Sequence, residues 1–204
     1  FAYIGYLART RLPSFDFWVI IGFFAVYLTW SIIETLIYKS PDTLAVEDDD
    51  QKSYIYLQLS SMAALFYALV DFIEYHYTRN PHFEPAVIII GFAVFLVSCL
   101  VRYGAITALG KYYNPRVAIY EEHSLITSGI YAYIRHPMYT TAILNVLAIA
   151  MIFNSWGALV LMFLTVIPAV IYRINIEEAF LLRHFGDEYK LYMTKSKRLI
   201  PKIW

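Results

Sequence analysis

The sequence predicts an all-α fold, a polytopic membrane helix bundle of about five transmembrane helices. Two observations lead to this prediction. First, 60% of the 204 residues are hydrophobic, whereas soluble domains contain about 45–50% apolar residues. Second, the apolar residues form runs about 20 residues long, the length that crosses a hydrocarbon core about 30 Å thick. Unpaired backbone groups cost several kcal/mol in lipid, so each run is expected to be helical.

Apolar segments of this length comprise residues 17–38, 54–77, 85–109, 137–153 and 156–172. Asn154 and Ser155 alone separate the last two segments, which predicts a tight antiparallel hairpin of the fourth and fifth helices. Further on, Asn175 is a candidate cap for a new helix, Gly186 is expected to end that helix, and Asp187 to begin another. These features predict a C-terminal helical segment that lies on the membrane or packs against the bundle.

Positive charges predict which side of the membrane this C-terminal segment occupies. The long connection between the third and fourth helices and the tail after the fifth must share one side, because both flank the hairpin. Both carry lysine and arginine residues, which favour the cytosol. The C-terminal segment is therefore expected to be cytosolic and the N-terminus external, although Arg9 and Arg11 then lie on the less favoured side.

Some ionisable residues fall inside the predicted spans, where charges are costly and are often functional. Glu34 and Arg102 lie towards the cytosolic ends of the first and third helices, so we predict that they interact. The alternative is that each side chain extends separately to the interface. Asp71 and Glu74, near the outer end of the second helix, are expected to be interfacial rather than catalytic.

Net charge and residue spacing argue against two classes of partner. The formal net charge is zero, whereas nucleic-acid-binding proteins favour a strong basic excess, so no nucleic-acid partner is expected. Cys99 is the single cysteine and cannot build a thiolate metal site alone. His123, His136 and His184 lack the spacing of zinc ligands, so no metal is expected.

The densest group of polar residues occupies positions 123–139, directly before the fourth helix. Pro137 suits the first position of a helix, where its missing N–H is not required. The N-terminus of that helix, with Arg135 and His136 beside it, predicts an anion site at the cytosolic membrane boundary. The alternative is that Arg135 simply binds the phosphate of a lipid.

A second polar group, Arg173-Ile-Asn175-Ile-Glu177-Glu178, follows the fifth helix. On structural grounds alone, its two acids fit the first turn of a helix capped by Asn175, where carboxylates are favoured. Together the two groups place cations and carboxylates on one side of the membrane, next to an apolar interior.

Five short elements recur in a fixed order around the hairpin: His123-x-Leu125-x-x-x-Gly129-x-Tyr131, Arg135-His136-Pro137-x-Tyr139, Glu177-Glu178-x-x-Leu181, Phe185-Gly186-x-x-Tyr189-x-x-Tyr192 and Arg198-Leu199-Ile200-Pro201. Through them the stretch from Arg102 to Pro201 resembles the isoprenylcysteine carboxyl methyltransferase family of integral membrane enzymes. Phospholipid N-methyltransferases share the Arg-His-Pro and Glu-Glu elements. One departure is Thr141, where many relatives have glycine, and the bulkier side chain is expected to narrow the cofactor pocket or the acceptor path.

The resemblance implies S-adenosylmethionine as methyl donor and S-adenosylhomocysteine as product. An arginine at the start of a helix suits the donor's carboxylate, a glutamate its ribose hydroxyls or ammonium group, and the loop before the helix its adenine. The implied cofactor-binding residues are His123, Leu125, Gly129, Tyr131, Arg135, His136, Pro137, Glu177 and Glu178.

A carboxylate acceptor is already a nucleophile, so the protein mainly has to align it with the donor. Arg173 is our candidate to orient that carboxylate, and the alternative is that its side chain only extends to the interface. Tyr139 and Glu178 complete the predicted catalytic set. An amine or thiol acceptor would need a base, for which His136 and Glu178 are the candidates.

The implied function is that of a multi-pass membrane methyltransferase with an active site facing the cytosol. Its acceptor is expected to be lipophilic, such as a prenylcysteine-type C-terminus, with the lipid part entering laterally between helices. Residues 1–110 are expected to form three N-terminal transmembrane helices, and residues 111–204 the catalytic region, within one integrated domain. The alternatives are a methyltransferase acting on a phospholipid or other lipophilic amine or thiol, an NADPH-dependent membrane reductase with a similar C-terminal half, and a non-enzymatic scaffold.

Overall fold

The structure, a computed structural model, describes residues 13–38, 47–48, 51–80, 84–114, 118–119 and 124–204. Its helices are α1 (Ser14–Ile37), α2 (Ser53–Val70), α3 (Glu84–Leu109), α4 (Pro137–Ile152), α5 (Trp156–Leu161), α6 (Ile167–Phe185) and α7 (Asp187–Lys195). One π-helical segment, Asp71–Tyr75, extends α2, and another, Met162–Val166, joins α5 to α6. Short 3-10 turns occupy Gly110–Tyr112 and Gly129–Ala132, and strands β1 (Glu47–Asp48) and β2 (Ala118–Ile119) form an antiparallel pair.

The helices confirm the predicted all-α membrane bundle. Within the described ranges, four continuous helices are long and apolar enough to cross a membrane: Ser14–Ile37, Ser53–Tyr75, Glu84–Tyr112 and Trp156–Phe185. The shorter helix α4 is also apolar, so all five predicted segments are helical. Large side chains such as Leu36 and Leu100, 79% and 73% exposed, point away from the bundle, as expected of a surface that meets lipid.

The hairpin is also as predicted, because α4 ends at Ile152 and α5 begins at Trp156. At its tip, Ser155 Oγ accepts a hydrogen bond from the Ala158 N–H at 3.4 Å and donates one to Asp71 Oδ2 at 2.9 Å. Asp71 is only 2% exposed, so it is buried in the protein rather than exposed at the interface. Its carboxylate fastens the hairpin to the end of α2.

The helix after the hairpin corrects one prediction. Asn175 does not begin a new helix, because α6 runs through it without a break. Ile174 and Phe180 are 0% and 1% exposed, so the buried apolar face continues past the predicted boundary and its packing outweighs the capping preference of Asn175. Glu177 and Glu178 consequently lie inside a helix, not in a first turn.

The turn after α6 follows the prediction. Gly186 adopts φ +53°, in the left-handed region that favours glycine, and ends α6 before Asp187 begins α7. Tyr189 and Tyr192 on α7 are 1% and 7% exposed. The tail helix therefore packs against the bundle, one of the two predicted arrangements.

A close contact between α3 and α4 connects the N-terminal helices to the hairpin. A Cβ atom at Gly91 would lie 2.7 Å from the backbone nitrogen of Ile152, so only glycine allows this approach. Further along, Ser98 Oγ donates a hydrogen bond to the Thr141 carbonyl at 3.0 Å. This contact sets the position of the start of α4, where the predicted site residues lie.

Candidate active site

A cavity of about 430 Å³ lies where α2 and α4 begin and where α1, α3 and α6 end. Its volume falls in the range of about 300–1,000 Å³ that is typical of small-molecule sites. The predicted site residues that line it are Leu125, Tyr131, Arg135, His136, Pro137, Tyr139, Arg173 and Glu177. Residues from separate sequence elements thus meet around one space.

Of the three remaining predicted site residues, the structure places two away from the cavity wall. Gly129 does not line the cavity; its φ of +61° begins the 3-10 turn that carries the buried Tyr131 to the cavity wall. Glu178 lies behind the wall. His123 lies outside the described residues.

Glu178 is the centre of a buried charge cluster. Its Oε1 accepts hydrogen bonds from Arg135 Nε at 2.9 Å and from His136 Nε2 at 3.2 Å. Its Oε2 accepts two from Arg198, from Nε at 3.0 Å and from Nη2 at 2.6 Å. The Glu178 side chain is 4% exposed, and these contacts use its acceptor capacity. This geometry indicates that Glu178 holds Arg135 and His136 in place and does not contact a ligand directly.

His136 bridges this cluster to the cavity. Its ring stacks on Tyr139, with ring centres 5.5 Å apart, and its Nδ1 lies 3.7 Å from Glu177 Oε1. Burial disfavours a charge on His136, but the hydrogen bonds and charges of Glu177 and Glu178 outweigh burial and raise the pKa of His136. A raised pKa favours the protonated imidazole, which has no free lone pair, so this arrangement is poorly suited to a general base.

Glu177 is the member of the Glu177–Glu178 pair that lines the cavity. Tyr139 donates its hydroxyl hydrogen to Glu177 Oε2. This bond and the nearby His136 ring hold the carboxylate in one orientation. Of the two neighbouring glutamates, Glu177 is therefore the one available to a ligand.

Arg173 is buried beside the same space, with 3% of its surface exposed. Its Nη1 donates a hydrogen bond to Ser53 Oγ at 2.7 Å. Its guanidinium carbon lies 5.6 Å from the ring centre of Tyr54 and 5.7 Å from that of Tyr139, within cation–π range. The alternative that Arg173 merely extends to the interface is wrong, since the side chain points into the bundle.

Arg135 is also held inside the protein. Its side chain is 7% exposed, which contradicts the alternative of a lipid-phosphate contact at the surface. Besides the bond to Glu178, its Nη1 donates to the Ser196 carbonyl at 2.5 Å. Much of its hydrogen-bonding capacity is therefore used within the protein.

Residues 196–199 of the tail run along the start of α4. The Arg135 N–H donates to the Lys197 carbonyl at 2.7 Å, and the His136 N–H donates to the Arg198 carbonyl at 3.0 Å. The same tail supplies the Arg198 guanidinium that binds Glu178. Arg198 belongs to one of the family elements, but no role in the site was predicted for it. Its contact with Glu178 is visible only in the folded structure.

The predicted pair of Glu34 and Arg102 is confirmed. Arg102 Nε and Nη2 donate to Glu34 Oε1 at 3.0 Å and 2.6 Å, which connects α1 to α3 at the cavity wall. Arg102 Nη2 also lies 3.4 Å from the hydroxyl of Tyr113. Burial raises the pKa of Tyr113 to about 12, so this hydroxyl stays protonated at neutral pH.

We expect Arg102→Met and Glu34→Gln to be coupled in thermal unfolding measured in detergent. Each single change leaves a charge without its partner, so each should lower the unfolding temperature, and the double variant should recover part of the loss. The coupling expected for contacting residues is about 0.5–3 kcal/mol. Arg102→Met combined with Glu188→Gln, an exposed carboxylate on α7, is the control and should be additive. If the effects of Arg102→Met and Glu34→Gln on the unfolding temperature are also additive, the two residues do not stabilise each other.

The cavity wall also includes aromatic residues for which no role in the site was predicted: Tyr54, Tyr113, Phe180, Tyr189 and Tyr192. Tyr189 and Tyr192 belong to the family element that begins at Phe185, so this element could have marked them as site residues. Tyr54 carries no such signal, because it lies on α2, where no motif was found. Thr141, expected to narrow the pocket, lies in the α3–α4 contact and is not part of the wall.

Comparison with known proteins gives a consistent result. The model of the isoprenylcysteine carboxyl methyltransferase family matches residues 87–183. The protein-S-isoprenylcysteine O-methyltransferase of Schizosaccharomyces pombe is 37% identical over 83 residues, which cover 41% of this chain and 35% of that protein. A probable protein-S-isoprenylcysteine O-methyltransferase of Oryza sativa subsp. indica is 27% identical over 116 residues, covering 56% and 61% of the two chains.

A third relative is the uncharacterized protein YpbQ of Bacillus subtilis, 33% identical over 64 residues, which cover 31% of this chain and 38% of YpbQ. This chain thus spans between about a third and three fifths of the length of these relatives. The matched region begins in α3 and ends in α6, so it contains the hairpin and most of the cavity's charged residues. Residues 87–183, slightly less than half of this chain, therefore resemble the isoprenylcysteine carboxyl methyltransferase family.

Proposed function

We propose that this protein is a membrane methyltransferase that uses S-adenosylmethionine and acts on a lipophilic carboxylate, such as a prenylcysteine-type C-terminus. The match of residues 87–183 to the family model supports methyl transfer, and two relatives carry the name of that activity. The observation that carries the proposal is the meeting of Glu177 and the buried Arg173 in one cavity at the end of the membrane helices.

The donor set of the cavity fits S-adenosylmethionine. That cofactor supplies a methyl group on a cationic sulfur, together with a carboxylate, an ammonium and an adenosine. Glu177 offers an oriented carboxylate to the ammonium or the ribose hydroxyls. Tyr131 and Phe180 add aromatic surface for the adenine, and the start of α4 beside His136 is suited to the carboxylate.

The state of the candidate bases favours a carboxylate acceptor. An amine or thiol would have to lose a proton, and His136 and Glu178 were the predicted bases. His136 lies between two glutamates that raise its pKa and so favour its protonated form, and Glu178 is saturated by Arg135, His136 and Arg198. A carboxylate needs only orientation, which the buried Arg173 guanidinium can supply through paired hydrogen bonds.

We further propose that the cavity faces the cytosol and that the acceptor's lipid part reaches it between helices. Lys195, Lys197, Arg198 and Lys202 in the tail support that orientation. Leu57 and Ala142 provide apolar wall on the membrane side of the cavity. A reporter fused after Trp204 that reads out as extracytosolic would overturn the orientation.

The test is a methyl-transfer assay on the purified protein in lipid nanodiscs, with labelled S-adenosylmethionine and a panel of acceptors. The panel contains a farnesylated N-acetylcysteine, its thiol analogue without the carboxylate, a phosphatidylethanolamine and a lipophilic amine. We expect transfer to the prenylated carboxylate and not to the others. Transfer only to an amine or thiol would overturn the acceptor assignment.

Calorimetric titration with S-adenosylhomocysteine tests the donor separately. Binding is expected, because the product keeps every group of the donor except the methyl. Absence of binding, together with NADPH oxidation in the presence of a sterol, would replace the proposal by the reductase alternative.

A further inference from the structure

The hydroxyl of Tyr189 is an unusual feature of the cavity wall. Tyr189 is 1% exposed, and its hydroxyl oxygen is buried with no hydrogen-bond partner among the described residues. The residue lines the cavity. Buried polar groups in native proteins are almost always paired, so an unpaired hydroxyl on a residue that lines a cavity calls for a partner that the described residues do not supply.

Tyr192, one turn along α7, provides a direct comparison. Its hydroxyl donates a hydrogen bond to the Tyr131 carbonyl at 2.6 Å, so its polar atom is satisfied within the protein. The rings of Tyr189 and Tyr192 meet edge to face, with centres 5.9 Å apart. The two tyrosines therefore share one environment and differ in whether the hydroxyl has a protein partner.

Tyr189 belongs to an aromatic part of the cavity wall that adjoins the charged residues Glu177 and Glu178. Tyr189 lies beside Tyr192, which in turn holds Tyr131, and Tyr131 is the residue predicted to contact adenine. Burial raises the pKa of Tyr189 well above its ordinary value, so its hydroxyl keeps the proton and acts as a hydrogen-bond donor. Ribose oxygens and adenine ring nitrogens are acceptors of the matching kind.

We infer that the Tyr189 hydroxyl donates a hydrogen bond to the nucleoside part of the methyl donor and so contributes to its selection. This inference rests on the proposed function, because it requires an adenosine-containing ligand in the cavity. It assigns a binding role to a residue whose hydroxyl serves no contact in the described protein.

The test compares Tyr189→Phe with Tyr192→Phe and with Tyr133→Phe, a tyrosine that is 68% exposed. Without ligand, Tyr189→Phe should unfold at the same temperature as the wild type or higher, because it removes an unpaired buried group. Tyr192→Phe should unfold at a lower temperature, because it removes a satisfied bond. Tyr133→Phe should match the wild type.

Although Tyr189→Phe is not expected to lower the unfolding temperature, it should weaken ligand binding. Tyr189→Phe should bind S-adenosylhomocysteine about tenfold more weakly, the loss expected for one hydrogen bond. It should weaken binding of 5′-methylthioadenosine, which keeps the nucleoside and lacks the amino-acid part, by the same factor. The combination of unchanged stability and weaker binding is not produced by a purely structural residue.

The possible results separate the inference from the function on which it rests. If the wild type binds S-adenosylhomocysteine and Tyr189→Phe binds it equally well, the inference alone is overturned. Weakening that affects S-adenosylhomocysteine and spares 5′-methylthioadenosine would overturn the nucleoside assignment. A wild-type protein that binds neither compound would overturn both the inference and the proposed donor.

Discussion

Replacing Glu178 by Gln is expected to weaken the binding of S-adenosylhomocysteine strongly, although Glu178 does not line the cavity. Its carboxylate is the shared partner of Arg135, His136 and Arg198, at 2.9, 3.2 and 2.6 Å. Removing one partner from a buried ion pair costs about 3–5 kcal/mol. If this loss of free energy disturbs the positions of the residues in the cavity wall, the affinity for S-adenosylhomocysteine falls by roughly 10²–10³-fold. Calorimetric titration measures the loss directly.

The matched control for this prediction is Glu188→Gln. Glu188 is an exposed acid on the neighbouring helix α7, so its replacement removes the same formal charge without entering the cluster. It should bind S-adenosylhomocysteine as the wild type does. Wild-type affinity in Glu178→Gln would show that the cluster stabilises the fold without shaping the donor site.

Much of the fold was predictable because the bilayer leaves the backbone few choices. Long apolar segments must be helical in lipid, and a two-residue separation forces a hairpin. The errors arose where packing decides instead. Asn175 is a good capping residue, but the buried face carrying Ile174 and Phe180 continues past it and keeps α6 intact. The burial of Asp71 depends on Ser155, which is 84 positions away in the sequence.

The sequence motifs identified most of the residues of the site, but they did not predict which side chains face the cavity. Successive helical residues project about 100° apart, so only one of Glu177 and Glu178 can face the cavity, and their sequence does not say which. The pairing of Glu34 with Arg102 was predictable, because each charge is costly in lipid. The contact of Arg173 with Ser53 joins residues 120 positions apart and has no sequence signal.

Replacing Arg173 by Met is expected to leave binding of S-adenosylhomocysteine near the wild-type value and to lower turnover of a prenylated carboxylate about 100-fold. Arg173 contacts Ser53, Tyr54 and Tyr139, which lie outside the Glu178 cluster, so the donor side should stay intact. Misplacing a reacting group by about 1 Å can cost about 100-fold in rate. Parallel measurement of donor affinity and kcat tests the prediction.

Two variants and one pair of acceptor analogues decide what Arg173 does. Arg183→Met removes an exposed arginine from the same helix and should leave turnover unchanged. Arg173→Lys keeps the charge but loses the planar guanidinium, so its turnover should be intermediate. If Arg173 binds the acceptor's carboxylate, the wild type should bind a prenylcysteine acid more tightly than its amide, and Arg173→Met should lose that preference. A preference that persists would assign the carboxylate to another cation, and Arg102 is the next arginine on the cavity wall to test.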